Sequence, residues 1–379
     1  MRVYLDNAAT TPVAPEVIDV MIPILTNDFG NPSSIHSYGR HVKGFVETSR
    51  KTIGKHLNCH SSEIIFTSGG TEADNMALYS SIHKMEVKHI ITSRIEHHAI
   101  LHTAEAIEKE GLARISYVQV DSKGNVDLAN LETLLQTEEK TLVSLMHANN
   151  EIATLLPLEK VSQLCKKYNA LFHSDTVQSI GHYPFDLQEL DIDYLSGAAH
   201  KFHGPKGVGF LYINKKINGS AFIHGGSQER GLRGGTENVS GIAGLATALD
   251  LAYEGLAEHQ AHVQSLKNHM IDQLKKSIPD VYFHGEIEVS KSLYTVLNVS
   301  FPNTEKTGML LFTMDLKGVA CSGGSACSSG ALGGSHVLAG INSDSNRPNI
   351  RFSFSRYTTQ QDVDYALEML MEVFEVKKD

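Results

Sequence analysis

Between about residues 60 and 213, short apolar runs alternate with stretches of helical periodicity, and no other feature restricts the fold as strongly. Such alternation is the pattern of βαβ units wrapped around a mostly parallel sheet. Strand candidates fall at 63–67, 89–92, 115–118, 142–146, 170–173, 194–196 and 208–212, with helical patterns at 70–83, 97–110, 128–136 and 158–168. Seven strands predict one wide sheet. In open sheets of this kind ligands bind at the carboxyl ends of the strands. Asn149, Asp175 and Lys201 each follow a strand candidate, so one cleft can collect them. A long helical region over 237–277 leads into a second unit, with strands near 295–300 and 350–354 and helices near 305–315 and 359–374. The expected architecture is α/β: a large, mostly parallel seven-stranded sheet domain over 13–255, and a smaller α+β domain. The small domain is assembled from 1–12 and 256–379 and carries a loop at about 320–335.

A chain of 379 residues with 41% apolar content is long enough for two such cores. It has no uninterrupted apolar run of about 18 residues and no long apolar stretch near its start, so a cytoplasmic protein without a membrane span is expected. A formal charge of -10 weighs against nucleic acid or anionic lipid as a main partner. Cys59, Cys165, Cys321 and Cys327 are too few and too scattered for a disulfide framework or a paired-cysteine zinc site. Cysteine chemistry here is therefore expected to be reactive rather than structural.

Lys201 lies where an apolar run from Asp193 gives way to a Gly/Pro-bounded loop ending at Lys206. A lysine that ends a buried strand is desolvated, which frees its amine to form a Schiff base with an aldehyde. Asp175, at another strand end, can hold a pyridinium nitrogen protonated. This pairing is what a pyridoxal phosphate site requires of its protein. Ser68-Gly-Gly-Thr-Glu72 follows a strand and opens a helix, where bare backbone amides and the Thr71 hydroxyl can hold a single phosphate. His200, beside the lysine, is a further donor; as a bland alternative it is an ordinary loop histidine. The dinucleotide and P-loop patterns do not fit this turn. Residues 321–335 hold five glycines and five serines around Cys327, a setting in which no core would place a cysteine and in which exposure favours reactivity. Cys321, next to Val319 and Ala320, is structural. A zinc site from His200 and His203 lacks a third ligand.

These residues lie among further motifs: Tyr4-Leu-Asp-Asn-Ala-Ala-Thr-Thr-Pro12, Gly30-Asn-Pro-Ser-Ser34, Glu96-His97, His147-Ala-Asn-Asn-Glu-Ile152, Gln228-Glu-Arg-Gly-Leu-Arg233, Gly235-Thr-Glu-Asn238 and Ile350-Arg-Phe-Ser353. With Ser325-Ala-Cys-Ser-Ser-Gly330, the chain resembles, nearly end to end, the cysteine desulfurases of the NifS/IscS type. These are class V aminotransferase-like, fold type I pyridoxal phosphate enzymes. The resemblance implies that Lys201 forms the Schiff base, Asp175 faces the pyridinium, Gln178 donates to the cofactor's phenolic oxygen and His97 stacks on the ring. Gly70, Thr71 and His200 would hold the phosphate, Asn149 would contact the cofactor, and Arg351, with Asn7, would bind the substrate carboxylate. Thr236 would reach the cofactor of a neighbouring subunit, which implies a homodimer. Cys327 would be the nucleophile that carries sulfur from L-cysteine as a persulfide, with His97 moving the thiol proton, and L-alanine would be released. Acceptors would include an iron–sulfur scaffold or a tRNA thiolation system. No stable metal site is expected, although Cys327 is open to transient iron–sulfur contact. Without the resemblance, His97 reads equally as a helix-start histidine, Arg351 as an edge charge and Asn149 as a turn residue.

The chain departs from the family pattern at Ala198, where a phosphate-contacting serine is common, at Ala153 and Gly234, and in Leu332-Gly-Gly-Ser335 after the cysteine. A selenocysteine lyase, a transaminase and an iron–sulfur scaffold are the competing readings. A transaminase has no need of Cys327 on a Gly/Ser loop.

Overall fold

The computed structural model describes residues 1–379 except 218, 306, 324–333 and 377–379. Strand β1 (Val3–Tyr4) precedes helices α1 (Pro15–Thr26) and α2 (Ser37–His56). There follow β2 (Ile64–Thr67), α3 (Gly70–Met85), β3 (His89–Ser93), α4 (His98–Lys109), β4 (Arg114–Val118), α5 (Leu128–Leu135), β5 (Thr141–Ser144) and α6 (Leu158–Lys167). Next come β6 (Leu171–Asp175), β7 (Tyr194–Ala198), β8 (Gly209–Ile213), α7 (Val239–Glu254) and α8 (Leu256–Ser277). The chain ends with β9 (Tyr282–His284), β10 (Val296–Ser300), α9 (Leu310–Leu316), β11 (Val319–Ala320), α10 (His336–Gly340), β12 (Asn349–Ser353) and α11 (Gln360–Val373).

Seven strands form one sheet in the order β2-β8-β7-β6-β5-β3-β4. Its strands pair in parallel except around β8, which runs antiparallel to both β7 and β2. The physical reason is the connection: β8 follows β7 through a short loop, whereas parallel neighbours need a crossover helix. Strands β2, β3, β5, β6, β7 and β8 are buried on both faces apart from the first residue of β6, as expected where helices cover the sheet. One face packs Ile53, Val161 and Leu245 from α2, α6 and α7 against Phe172 and Phe210. The other packs Met76 of α3 and Ile100 and Ile107 of α4 against Ile90 and Leu142.

The single helical stretch expected over 237–277 is two helices that meet at Gly255, whose backbone leaves the helical region at φ -100° and ψ 16°. A second core joins Met270 and Leu274 of α8, Val299, Ile350 and Phe352 of the antiparallel β12-β10-β9 sheet, and Leu367 and Leu370 of α11. Val3 and Leu5 of the N-terminal segment enter the same core, because β1 pairs in parallel with β11. The N-terminus thus crosses from the second core to the sheet's edge of strand ends. No helix among the described residues is long and apolar enough to cross a membrane.

A buried ion pair pins α2 to the loop after β8. Arg50 donates to both carboxylate oxygens of Glu229 at 2.7 Å and to the Ile64 carbonyl, while Glu229 also accepts the Phe66 amide. Replacing Arg50 by Met leaves Glu229 buried without its cation, which costs about 3–5 kcal/mol. Urea unfolding of this variant is expected to show a clearly lowered midpoint; an unchanged midpoint refutes the assignment.

Candidate active site

The carboxyl ends of the parallel strands converge on a cavity of about 240 Å3. Gly70, Thr71 and Asp74 reach it from the start of α3, and His97 from the residue before α4. The turn after β5 contributes Ala148 and Asn150, the turn after β6 contributes Val177 and Gln178 beside Asp175, and the turn after β7 contributes His200 and Lys201. Arg351 arrives from β12 and Ala8 and Ala9 from the N-terminal crossing, so the two cores share the cavity.

At one end of the cavity lies the start of α3. Its N-cap position is Gly69, with no side chain to cap the helix, whereas α4, α5, α7 and α11 each have a side-chain cap. The first amides of α3 therefore remain for an anion, with the Thr71 hydroxyl among them. At Gly70 an added Cβ would sit 2.6 Å from Cγ2 of Val177, so a larger residue there would force the Val177 side chain to shift. His200 completes this end, its Nδ1 3.2 Å from the Thr10 hydroxyl.

At the other end the Asp175 carboxylate accepts the Val177 amide at 2.9 Å. Burial, then the neighbouring Asp74, pushes its pKa up to about 7. Asp74 is likewise lifted to about 7 by burial, and its Oδ1 has no hydrogen-bond partner. Two buried carboxyls, one with an unsatisfied oxygen, make this part of the cavity attractive to a cation, and a pyridinium is a cation of suitable size. Lys201 lies across the cavity, where Nζ donates to the carbonyls of Ala8 at 2.6 Å and Ala9 at 2.9 Å. Gln178 Nε2 donates to the same Ala8 carbonyl at 3.0 Å.

Carboxylate oxygens of Asp74 and Asp175 and a ring nitrogen of His97 lie within 4.8 Å of one another. That spacing suits a metal, but the hydrogen bonding opposes it. His97 Nδ1 accepts the Ala99 amide at 3.1 Å, and burial followed by Lys201 lowers the ring's pKa to about 4. The neutral ring therefore carries its proton on Nε2, which makes that nitrogen a donor rather than a ligand.

Arg351 is 1% exposed, and its Nη2 lies 3.0 Å from Asp6 while Nη1 donates to the Asn150 carbonyl at 2.9 Å. Its Nε has no partner, so one edge of the guanidinium remains for a carboxylate. Asn149 and Asn7 do not line the cavity, and Thr236, expected to serve a neighbouring subunit's site, stands apart from it. Asn149 spends its side chain on the turn, donating to the Ile95 carbonyl and accepting the Glu151 and Ile152 amides; its neighbour Asn150 lines the cavity instead. Asn7 donates to the Ser353 carbonyl and joins the N-terminal crossing to β12. Thr236 lines a separate cleft with Ser68, Gly207 and Gly235. Cys327 lies outside the described residues. Cys59 and Cys321 are thiols pushed up to about 12, and Cys165 is pushed higher, each mainly by burial.

Both flanks of the 324–333 segment are tied to the cavity rim. On one side Ser322 exchanges backbone hydrogen bonds with Arg351, and its hydroxyl donates to Asp6 at 2.8 Å. On the other, Ser335 donates to the Glu151 carboxylate and His336 Nε2 lies 2.8 Å from the Glu96 carbonyl.

An anion cup at a helix start, a lysine amine and a buried carboxyl pair within one cavity at strand ends define a class: an α/β enzyme whose site fits pyridoxal phosphate. The sequence profile of the aminotransferase class-V family matches residues 3–366, and the chain belongs to that family. It is 42% identical to the cysteine desulfurase IscS of Clostridium botulinum (strain Hall), covering 100% of this chain and 96% of the relative. It is 45% identical to cysteine desulfurase IscS of Dictyoglomus turgidum, covering 99% and 95%. Among solved structures, a NifS-like protein matches with a TM-score of 0.91 at 39% identity, covering 99% of this chain and 100% of that one. A protein described as SspA in complex with cysteine matches with a TM-score of 0.80 at 31% identity, covering 94% and 100%.

Proposed function

We propose that this chain is a cysteine desulfurase that takes sulfur from L-cysteine, releases L-alanine and holds the sulfur as a persulfide on Cys327. The observation that carries the reading is the anchoring of both flanks of the cysteine-bearing segment at the rim, one of them on Arg351 itself. The anchors put the two ends of that segment at the rim, one of them beside the guanidinium that would hold a substrate. The substrate carboxylate takes the open edge of the guanidinium, and Asp6 keeps that guanidinium oriented.

Pyridoxal phosphate, when bound, would supply an aldehyde for Schiff-base chemistry and an electron sink for bonds broken at the substrate's α- and β-carbons. Gly70, Thr71, the amides of α3 and His200 would hold its phosphate, and Asp175 its ring nitrogen. Lys201 Nζ, which lies in the same cavity, would be the base that takes the α-proton. His97 lines the cavity, where its ring would cover that of the cofactor, and its Nε2 proton is available to a departing or arriving sulfur. The Cys327 thiolate attacks the substrate sulfur: an S–S bond forms as the Cβ–S bond breaks. The electron pair stays on the carbon fragment, which collects protons and leaves as alanine. The three other cysteines are poor candidates for this step, since burial holds them as thiols.

The working unit is proposed to be a homodimer in the cytoplasm. Ile18, Ile22 and Leu25 of α1, followed by Phe29, Ile35 and Tyr38, form a run of exposed apolar side chains that a second copy would cover. Thr236 stands in its separate cleft on the outer surface, where it could serve a partner's cofactor. The persulfide is proposed to pass to an acceptor such as an iron–sulfur scaffold or a tRNA thiolation system.

The test is a visible absorption spectrum of the purified protein before and after adding L-cysteine, with alanine and sulfide assayed together. A Schiff-base band that changes on addition, with both products in equal amounts, is the expected result. A band without sulfide moves the function to another reaction of the same cofactor, and selenocysteine as the better alanine source moves it to a selenocysteine lyase.

A further inference from the structure

Asp74 belongs to none of the roles assigned above, yet it is 1% exposed and faces the same cavity as Asp175. Helix geometry explains why it is there: positions 70 and 74 are one turn apart, so the face of α3 that presents the anion cup also presents this carboxyl. Its carboxylate oxygen is within 4.8 Å of that of Asp175. At an effective protein dielectric of about 20, two negative charges so close make joint ionisation more than a hundredfold less favourable, roughly, than single ionisation. Burial adds to this repulsion and lifts both carboxyls to about 7, so the pair is poised to share one proton near neutral pH, and the surroundings decide who holds it.

Asp175 accepts a backbone amide from Val177, which stabilises its charged form. Asp74 Oδ1 has no hydrogen-bond partner and lies 3.5 Å from Nε2 of His173, and the Ser196 hydroxyl offsets only part of the upward push that burial gives this carboxyl. That imidazole is fully buried, neutral, and held between the hydroxyls of Ser144 and Ser196. From the β3 side the nearest acid is Glu96, itself buried and shifted well above the carboxylate range, mainly by burial. Within the cavity Lys201 lowers Asp175 through its charge, an effect that favours the anion on Asp175.

We propose that Asp74 is a positioning residue: it stays a neutral acid and so concentrates the pair's single negative charge on Asp175. This inference rests on the reading of Asp175 as the partner of the cofactor's ring nitrogen. The neutral acid also leaves an O–H that can turn toward the Asp175 carboxylate and fix its orientation. A charged Asp74 would instead divide the attraction for a pyridinium between two positions, only one of which lies at the end of β6.

The experiment compares infrared spectra of wild type, Asp74→Asn and Asp175→Asn at neutral pH, as apoprotein and as holoenzyme, together with pyridoxal phosphate affinity. A protonated-carboxyl stretch is expected in wild type that is missing from Asp74→Asn in both forms. The neutral amide should keep cofactor affinity within about threefold, while Asp175→Asn should lose roughly tenfold or more. Loss of that stretch in Asp175→Asn alone, or a tenfold loss of affinity in Asp74→Asn, would overturn the proposal. If Asp74→Asn does not fold, carboxyl-labelled aspartate in wild type is followed by NMR from pH 4 to 9. One aspartate still protonated at neutral pH supports the proposal, and none overturns it. Failure of every protein, wild type included, to bind pyridoxal phosphate would count against the cofactor reading and would leave the infrared comparison of the apoproteins standing.

Discussion

Lys201→Ala is expected to lose the visible Schiff-base absorbance and to lower alanine formation by roughly a thousandfold or more, the range removed with a catalytic base and nucleophile. The geometry makes this loss hard to rescue from within the site. Lys201 follows β7 by a single helical turn, and its amine reaches across to the Ala8 and Ala9 carbonyls, which hold it over the cavity. His97 and His200 line the same cavity, but burial and then the lysine itself lower the pKa of each to about 4, and Nδ1 of His97 is committed to the Ala99 amide. Neither nitrogen of that ring can take the α-proton while this arrangement lasts. The fold should survive, because the N-terminal segment that accepts the Lys201 hydrogen bonds is also held by Gln178 on Ala8 and by Thr11 on His200. A variant that retains the wild-type spectrum would remove Lys201 from the mechanism.

Cys327→Ser is expected to separate cofactor chemistry from sulfur transfer. The residues that would hold the cofactor are others, Lys201, Asp175, Gln178 and the start of α3 among them, so the visible band and its response to L-cysteine should remain. Alanine and sulfide formation should fall by about a hundredfold or more, since a serine hydroxyl at neutral pH is almost wholly protonated and forms no persulfide. None of the described cysteines can substitute: Cys59 and Cys165 lie in the sheet domain's core region, and Cys321 is a thiol buried against Asp6 and Asp315. Mass spectrometry of the wild type after cysteine should find one added sulfur on the peptide containing Cys327. Full sulfide production by the serine variant would refute the persulfide role.

Much of the sheet was legible because each strand is a short apolar run between helical patterns. The expected strands at 89–92 and 194–196 became His89–Ser93 and Tyr194–Ala198, differing only at their ends. Helices α1 and α2 were not anticipated. The alternation begins near residue 60, and α1 exposes Ile18, Ile22 and Leu25 on the side away from the core, which blurs the contrast between its faces. Strands β1, β9 and β11 are two or three residues long, too short for any period to register. In the site, Lys201, Asp175, Gln178, Gly70, Thr71, His97, His200 and Arg351 all reach the one cavity. Asn150 and Asp74 reach it too, unannounced. The signal for Asp74 was its helical spacing from Gly70; nothing in the local sequence distinguishes Asn150 from Asn149.

The order of apolar runs and turns settled the sheet, and with it the strand ends at which Asp175 and Lys201 emerge, because strand and helix periodicity are local properties of the chain. Ionisation was decided only in three dimensions. Asp74 and Asp175 shift toward neutral pH because α3 packs against β6 and water is excluded around both. Arg351, which its strand pattern left as either an edge charge or a ligand, is buried against Asp6 because the N-terminus crosses between the two cores. Charge states depend on neighbours and on the surrounding dielectric, and these arise only when distant segments are brought together.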